Sequence, residues 1–352
     1  LLAEGDALNA LLIRADAGKQ MGTGHVMRTL ALAQAWQDAG GSVRYAMAAP
    51  SPGIAARLNA ESVEIDAIQA APGSDDDARQ TVELARKQNA AWVVVDGYQF
   101  SGNYQRLIKE SGLRLLVLDD YGHADHYWAD LVLNQNLHAN ESLYRSREPH
   151  TRLLLGVRFA LLRREFLKWQ GWQREIPEHP RNILVTMGGS DPDNITLRVV
   201  QAIQGLSLGD VCVRVVVGGG NPHRESLVEA VASSPRFDLI YDVRNMPELL
   251  SQADMVVTAG GSTLWEIALL ALPSIVIVIA RNQSDATRLL SERGQCRLLG
   301  DAGSLSSLFL ERAIKELFYD RECRESLSRN IAMLVDGLGG QRICQLLCES
   351  SP

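Results

Sequence analysis

The stretch Ile183-Leu184-Val185-Thr186-Met187-Gly188-Gly189-Ser190 decides the fold. A run of β-branched and apolar residues stops abruptly at two glycines and a serine, the pattern of a buried strand passing through a tight turn into a helix start. The pattern recurs as Met255-Val256-Val257-Thr258-Ala259-Gly260-Gly261-Ser262. Two copies without a short period do not make a repeat protein, but they show two strand-to-helix turns built alike. In open α/β sheets such turns lie at the carboxyl ends of strands, where ligands bind. Outward from these turns, short β-branched runs alternate with amphipathic stretches, which implies parallel sheets with crossover helices. The later series has strands at 182–187, 212–217, 238–241, 255–258 and 274–279, and helices at 194–204, 224–232, 247–252, 262–270 and 285–293. The earlier series has strands at 10–15, 42–47, 92–96, 114–118 and 131–133, and helices at 23–39, 77–88 and 103–111. Between them, residues 168–182 are polar, carry Pro177 and Pro180 and have no apolar period, so they read as a linker and hinge.

The bulk properties agree with two domains. The chain has 352 residues, more than one core usually serves. It is 46% hydrophobic and 22% charged, ordinary for a soluble globular protein. A net charge of −7 argues against a general nucleic-acid binder. The five cysteines, Cys212, Cys296, Cys323, Cys344 and Cys348, are odd in number and lack CxxC spacing, so reduced thiols without a zinc site are expected. Cys344 and Cys348 share a helix face, more simply as half-buried small residues than as a metal clip. The start of the chain lacks the marks of a secretory signal. The apolar stretch 267–280 is too short to span a bilayer and is broken at Pro273-Ser274. A cytoplasmic protein without membrane insertion is the expectation; oligomeric state is not readable.

Candidate chemistry begins at Gly22-Thr23-Gly24-His25-Val26-Met27-Arg28, just after the first strand. Gly22 and Gly24 let backbone approach a ligand. His25 stands where a helix should begin, and the positive end of the dipole favours a neutral imidazole able to accept a proton. Arg28 places a cation one turn on. Asp16, just past the strand, either orients His25 or caps the turn, orientation being the favoured reading. In the second half, Gly188, Gly189 and Ser190, then Gly260, Gly261, Ser262 and Thr263, form anion sites if their backbone N–H groups are free, or are simply turns that need glycine. Gly218-Gly219-Gly220 after a third strand strengthens the ligand reading. None of these matches a phosphate loop or a full dinucleotide fingerprint. Glu266 fits a capping box with Thr263, or it binds ribose hydroxyls. Asn282 is either a turn residue or a sugar or water ligand, and Tyr98 alone could be a rim aromatic. Asp119 and Asp120 are paired acids, but His123 and His126 have no ligand-like spacing, so no metal is expected.

In this order, Arg14-Ala15-Asp16, the glycine–histidine–arginine loop, Val95-Asp96-Gly97-Tyr98, Gly188-Gly189-Ser190-Asp191, Gly260-Gly261-Ser262-Thr263-x-x-Glu266 and Asn282-Gln283 resemble the UDP-sugar hydrolases of pseudaminic acid biosynthesis. Those enzymes are relatives of MurG-type GT-B glycosyltransferases. The resemblance runs to about residue 300. It implies an α/β protein of GT-B type, two Rossmann-like domains facing each other across a cleft, at 1–168 and 182–324, with 325–347 packing back on the first. It implies that His25 acts on the hydrolytic water, that Tyr98 and Asn282 line the sugar and water site, that Gly260–Thr263 hold the diphosphate and that Glu266 lies near the ribose. Arg28 and Gln283 fall within the substrate-binding motifs. The chain departs from the pattern at Ala17-Gly18-Lys19, where relatives are more serine-rich, and at Gly97, where they carry a bulkier residue. These departures bear on sugar specificity more than on reaction type.

The implied reaction cleaves UDP-2,4-diacetamido-2,4,6-trideoxy-β-L-altropyranose to UDP and the free sugar, with inversion at C1 and without a cofactor. UDP is a good leaving group once its charge is held, so a strong general acid is not required. The alternative is an inverting glycosyltransferase using a sugar acceptor. A lipid-acceptor enzyme would show an apolar patch rimmed by basic residues, and residues 51–60 are only mildly amphipathic. A nucleotide-sugar binding module without catalysis is a third class, disfavoured by His25 with Asp16.

Overall fold

The computed structural model describes residues 10–18, 22–232, 234–241, 243 and 245–349. Their contacts divide into two units. Of the described residues, the first holds 10–18, His25–Arg164 and 337–349; the second holds Glu165–Asp336 and 22–24.

The first unit is built on seven parallel strands: β1 (Ala10–Ala15), β2 (Val43–Met47), β3 (Glu64–Ala67), β4 (Ala90–Asp96), β5 (Leu115–Leu118), β6 (Leu131–Asn134) and β7 (Arg152–Leu155). Their order is β3-β2-β1-β4-β5-β6-β7. Helices α1 (Gly24–Asp38), α2 (Pro52–Ala60), α3 (Asp75–Lys87) and α4 (Gly102–Glu110) form the crossovers. α3 starts where Ser74 accepts a hydrogen bond from Asp77 N, with acids in its first turn and Arg86 and Lys87 in its last, matching the helix dipole at both ends. β1 is buried on both faces: Leu11, Ile13 and Ala15 join one core and Leu12 joins the other. Arg14 shares the face of Leu12 and is wholly buried. It survives there because Asp77 accepts from its Nε and Nη2 at 2.9 and 2.8 Å, with Asp16 2.7 Å from its Nη1.

A short helix, α5 (Arg164–Leu167), lies at the crossing into the second unit. The second unit has six parallel strands: β8 (Asn182–Thr186), β9 (Cys212–Val217), β10 (Phe237–Tyr241), β11 (Met255–Ala259), β12 (Ser274–Val278) and β13 (Arg297–Asp301). Their order is β10-β9-β8-β11-β12-β13. Its helices are α6 (Ile195–Gln204), α7 (Arg224–Val231), α8 (Met246–Gln252), α9 (Thr263–Leu269), α10 (Ser284–Glu292), α11 (Ser307–Tyr319) and α12 (Arg321–Ile331). The last helix, α13 (Gly339–Glu349), belongs to the first unit, where Ile343, Cys344 and Leu347 enter the core and Trp92 Nε1 donates to Leu347 O at 3.1 Å.

Two expectations about chain organisation change. The return crossing falls between Asp336 and Gly337, so α12 stays with the second unit and only α13 joins the first. The expected hinge at 168–182 is tied down within the second unit. Arg174 donates to the carbonyls of Leu250, Ser251, Ala253 and Leu270, and its burial pulls its pKa down to about 10. Arg324 donates to the carbonyls of Pro177 and Glu178. A polar, proline-bearing sequence has no apolar period whether it is loose or stapled by distant arginines, which is why the linker reading could not tell the two apart.

In both sheets the strand order reverses at one place, between β1 and β4 and between β8 and β11. Such reversals leave a crevice at the carboxyl ends of the two strands, because their crossover helices go to opposite faces. The segments after β1, β4, β8 and β11 are therefore the ones to inspect. Among the described residues no helix is long and apolar enough to cross a membrane.

The buried Arg14–Asp77 pair supplies a stability test. Arg14→Met or Asp77→Leu alone should cost about 3–5 kcal/mol, because each takes from a buried charge its bidentate partner, while the double variant should lose clearly less than the sum. Urea denaturation of the four proteins measures this, and strict additivity would show that the pair is not coupled.

Candidate active site

The end of β4 and the start of α1 build a charged cluster in the first unit. Register pairs Asp96 with Ala15 on one side and with Leu118 on the other, so its carboxylate stands at the carboxyl edge between β1 and β5. α1 begins at Gly24, which puts His25 and Arg28 in its first two turns, beside that edge. His25 Nδ1 lies 2.6 Å from Asp96 Oδ1. Arg28 grips Asp96 with two bonds, Nε to Oδ2 and Nη2 to Oδ1, both 2.6 Å, and gives Nη1 to Asp120 Oδ1 at 2.7 Å. Asp96 is wholly buried, and His25 and Arg28 are each 7% exposed. A carboxylate facing Nδ1 selects the tautomer with the proton on that nitrogen and leaves Nε2 as the acceptor. Nε2 has no hydrogen-bond partner among the described residues.

Asp120 continues the network. Its carboxylate also accepts from Tyr98 Oη at 2.5 Å and Asn136 Nδ2 at 2.7 Å, and its carbonyl accepts from Asn134 Nδ2 at 2.9 Å. Burial pushes the Asp96 and Asp120 carboxyls up, but the Arg28 charge and its bonds outweigh that and hold both below the ordinary range. Burial and the neighbouring Asp120 charge push the Tyr98 phenol well up, so it remains a donor. The Tyr98 ring meets the His25 ring edge-on at 5.0 Å between centroids.

Asp16 does not orient His25. It pairs with Arg14 and accepts from Ala48 N at 2.9 Å. The orienting carboxylate is Asp96, which the sequence reading passed over as part of the Tyr98 motif. Nothing local marks it: it is 71 residues from His25, and only strand pairing brings the two together. Asp119 organises its loop. It accepts from the backbone N–H groups of Asp120, Tyr121, Gly122 and His123 and from Tyr127 Oη. Among the described residues no group of three or more His, Cys, Asp or Glu could hold a metal.

In the second unit, the two Gly-Gly-Ser turns follow β8 and β11, the two neighbouring strands at the order reversal. They are not equivalent. Asp191, after Gly188-Gly189-Ser190, accepts from Ile195 N at 2.8 Å and Thr196 N at 2.9 Å. The N-terminus of α6 therefore already holds a negative charge from its own chain. A Cβ on Gly218 would collide with the carbonyls of Gly188 and Gly189, and Gly220 N donates to Gly189 O at 2.9 Å. The third glycine turn thus packs against the first, which is why it is rich in glycine. Gly189 itself packs on Thr23, and Gly22 adopts φ +75° with Ser190 Oγ 3.6 Å from where its Cβ would be. Gly24 has open space around its Cβ position.

The turn after β11 is different. Ser262 flanks α9 and makes no side-chain cap bond, and Thr263 is the first helical residue. Thr263 is thus inside the helix rather than in the flanking position that a capping box with Glu266 would give it, and Glu266 is half-buried in the first turn. Gln283 braces this turn: its Oε1 accepts from Gly260 N at 3.2 Å and Ile279 N at 3.0 Å, tying the ends of β11 and β12 together. Gly260 is needed for packing, since a Cβ would lie 2.5 Å from Thr287 Cγ2. Asn282, half-buried, precedes Gln283 in the single turn between β12 and α10.

Residues 182–334 match the glycosyltransferase family 28 C-terminal domain. The chain has the GT-B fold, two parallel-sheet Rossmann-like units, as in MurG of Acinetobacter baumannii (TM-score 0.66, 15% identical, 97% of this chain and 99% of that one). MnaA of S. aureus, solved with UDP, is similar at TM-score 0.67 and 15% identity, over 98% of this chain and 99% of that one. Along the sequence, the chain is similar to the UDP-2,4-diacetamido-2,4,6-trideoxy-β-L-altropyranose hydrolase of Campylobacter jejuni. The two are 23% identical over 286 residues, 81% of this chain and 97% of the relative.

The buried carboxylates give the first unit an acid limit. Their folded pKa values lie below the unfolded ones, so their contribution is complete above pH about 4 and is lost as pH falls toward the folded values. Urea midpoints should fall as pH drops from neutral to about 3, and Asp120→Asn should start lower and fall less steeply. An equal slope in that variant would show that Asp120 is not held below its ordinary range.

Proposed function

We propose that the protein hydrolyses a UDP-linked diacetamido-trideoxy sugar to UDP and the free sugar, with inversion at the anomeric carbon. The observation that carries this reading is the His25–Asp96 pair: a buried carboxylate on Nδ1 and an Nε2 with no hydrogen-bond partner among the described residues. The similarity to the Campylobacter hydrolase supports the substrate class.

The work divides between the units. In the second, Gly260, Gly261, Ser262 and Thr263 hold the diphosphate, and Glu266 and Gln283 bind the rest of the nucleotide and its surroundings. Gly188, Gly189 and Ser190 line the same edge of the sheet from β8. In the first, His25 Nε2 takes a proton from water as its oxygen bonds to C1, while the C1–O bond to UDP breaks and its electron pair leaves with the diphosphate. Asp96 keeps the other proton on Nδ1, and Arg28 keeps Asp96 charged without contacting substrate itself. In the first unit Tyr98 is assigned to the sugar and water; in the second, Asn282, Gly22 and Gly24 are assigned to substrate, and Gly24 has open space at its Cβ position. Asp16 is assigned no role in this scheme, since its partners are Arg14 and Ala48.

The family 28 domain and the likeness to MurG support a second reading, transfer of the sugar to an acceptor hydroxyl by the same base. One experiment separates them. The protein is incubated with the UDP-sugar alone, and UDP release and the anomer formed are followed by NMR. Release without acceptor, with inversion, is expected; dependence on an added acceptor would move the assignment to transferase.

His25→Ala should lose about 10²–10⁴-fold in turnover while UDP still inhibits or binds as in the parent. Turnover within a few-fold of the parent would remove His25 as the base.

A further inference from the structure

Among the described residues of the first unit, one large hydrophobic side chain is left exposed: Tyr121, at 42%. It is one ring removed from the candidate base. Its ring packs on Tyr98 at 5.0 Å between centroids, and the Tyr98 ring meets His25 at 5.0 Å. His123 backs both tyrosines, at 5.7 Å from Tyr98 and 6.3 Å from Tyr121.

The loop that presents Tyr121 is held rigidly. Asp119 collects four successive backbone N–H groups, those of Asp120 through His123, together with the Tyr127 hydroxyl. Gly122 sits at φ +78° with its Cβ position 2.6 Å from Leu143 O, so no side chain fits there. His123 Nε2 lies 3.2 Å from Phe100 O. Asp119 is held below the ordinary carboxylate range despite burial, by His123, Tyr127 and these backbone donors. A buried, fully used carboxylate thus fixes the position of an exposed aromatic ring. A mobile loop would cover such a ring or let it swing; here it is kept where solvent meets it, packed on the Tyr98 ring that meets His25.

Resting on the hydrolase reading, we propose that Tyr121, with Tyr98 behind it, is the specificity-determining shelf for the sugar. The apolar face of the ring and the methyl substituents of a deoxy, acetamido sugar lie against Tyr121, which holds the anomeric carbon toward His25. The class selected is a sugar poor in hydroxyls and rich in methyl groups. Tyr98 is constrained by its hydrogen bond to Asp120, so Tyr121 carries the selectivity. UDP alone makes no use of the shelf.

The test reads binding, so it does not depend on turnover. In a His25→Ala background, UDP and the UDP-linked diacetamido-trideoxy sugar are titrated calorimetrically into the protein with Tyr121 intact, Tyr121→Phe and Tyr121→Ala. Tyr121→Ala should weaken the sugar nucleotide about tenfold and leave UDP within about twofold, because apolar contact is lost only for the sugar. Tyr121→Phe, which keeps the ring, should bind both within about twofold of the parent. Unchanged or equal losses for the two ligands in Tyr121→Ala, or a phenylalanine variant as weak as alanine, would overturn the shelf. Failure of the hydrolase reading would look different: the protein with His25 intact would bind the sugar nucleotide and not release UDP from it.

Discussion

The carboxylate of Asp96 is the group on which the candidate site depends. It has no contact with solvent, and three short bonds from Arg28 and His25 compensate its burial. An unpaired buried carboxylate would cost several kcal/mol, so Arg28 is as necessary to the site as Asp96 itself. The bidentate grip also has a directional consequence. With Arg28 lowering the affinity of Asp96 for a proton, the proton between Asp96 and His25 stays on the imidazole. The histidine is thereby held in one tautomer and one orientation before substrate arrives. Asp120, Tyr98 and Asn136 extend the restraint, since each fixes Arg28 directly or through its second carboxylate.

Both sheets place their chemistry by the same topological rule and fill the place differently. At the reversal in the first sheet, helix α1 follows β1 and the carboxylate ends β4, giving the His25–Asp96 pair. At the reversal in the second, glycine turns follow β8 and β11. There the physical difference lies in what already occupies each turn. Asp191 bonds the first N–H groups of α6, whereas Gln283 pins the turn after β11 through Gly260 and the Ser262 side chain makes no cap bond. Of two turns with nearly the same sequence, the first is the one whose helix start is bonded by its own aspartate.

What was legible from sequence was local. The strands and helices around the glycine turns could be read from β-branched runs and turn chemistry, and His25 could be placed at a helix start because its neighbours in the chain place it there. Strands β3, β7 and β13 were not read: they are short, and half-exposed edge strands carry little apolar signal. The partner of His25 was misassigned for a different reason. Asp16 is close in sequence, but β1 directs its carboxylate to Arg14 and Ala48, whereas Asp96 arrives by parallel pairing across the order reversal. Gly218 was counted toward a ligand site because a glycine required by a packed carbonyl and one required by a phosphate look alike in sequence. Asp119 and Asp120, adjacent in the chain, have unrelated duties, one gathering loop amides and the other anchoring Arg28.

This separation of neighbouring acids links the loop to the chemistry. Asp119 faces back into its own turn and fixes Tyr121; Asp120 faces the network and fixes Arg28 and Tyr98. The end of one strand thus sets both the aromatic surface and the orientation of the base, through adjacent carboxylates that share no partner atom. An insertion or deletion between them would uncouple the two, shifting Tyr121 relative to His25 without removing a single catalytic group. Placing both functions on consecutive residues of one strand end makes their spacing a property of the peptide geometry, which varies far less than side-chain packing. In the proposed reaction the base must hold a water in line with one carbon of a sugar, which depends on that kind of rigidity.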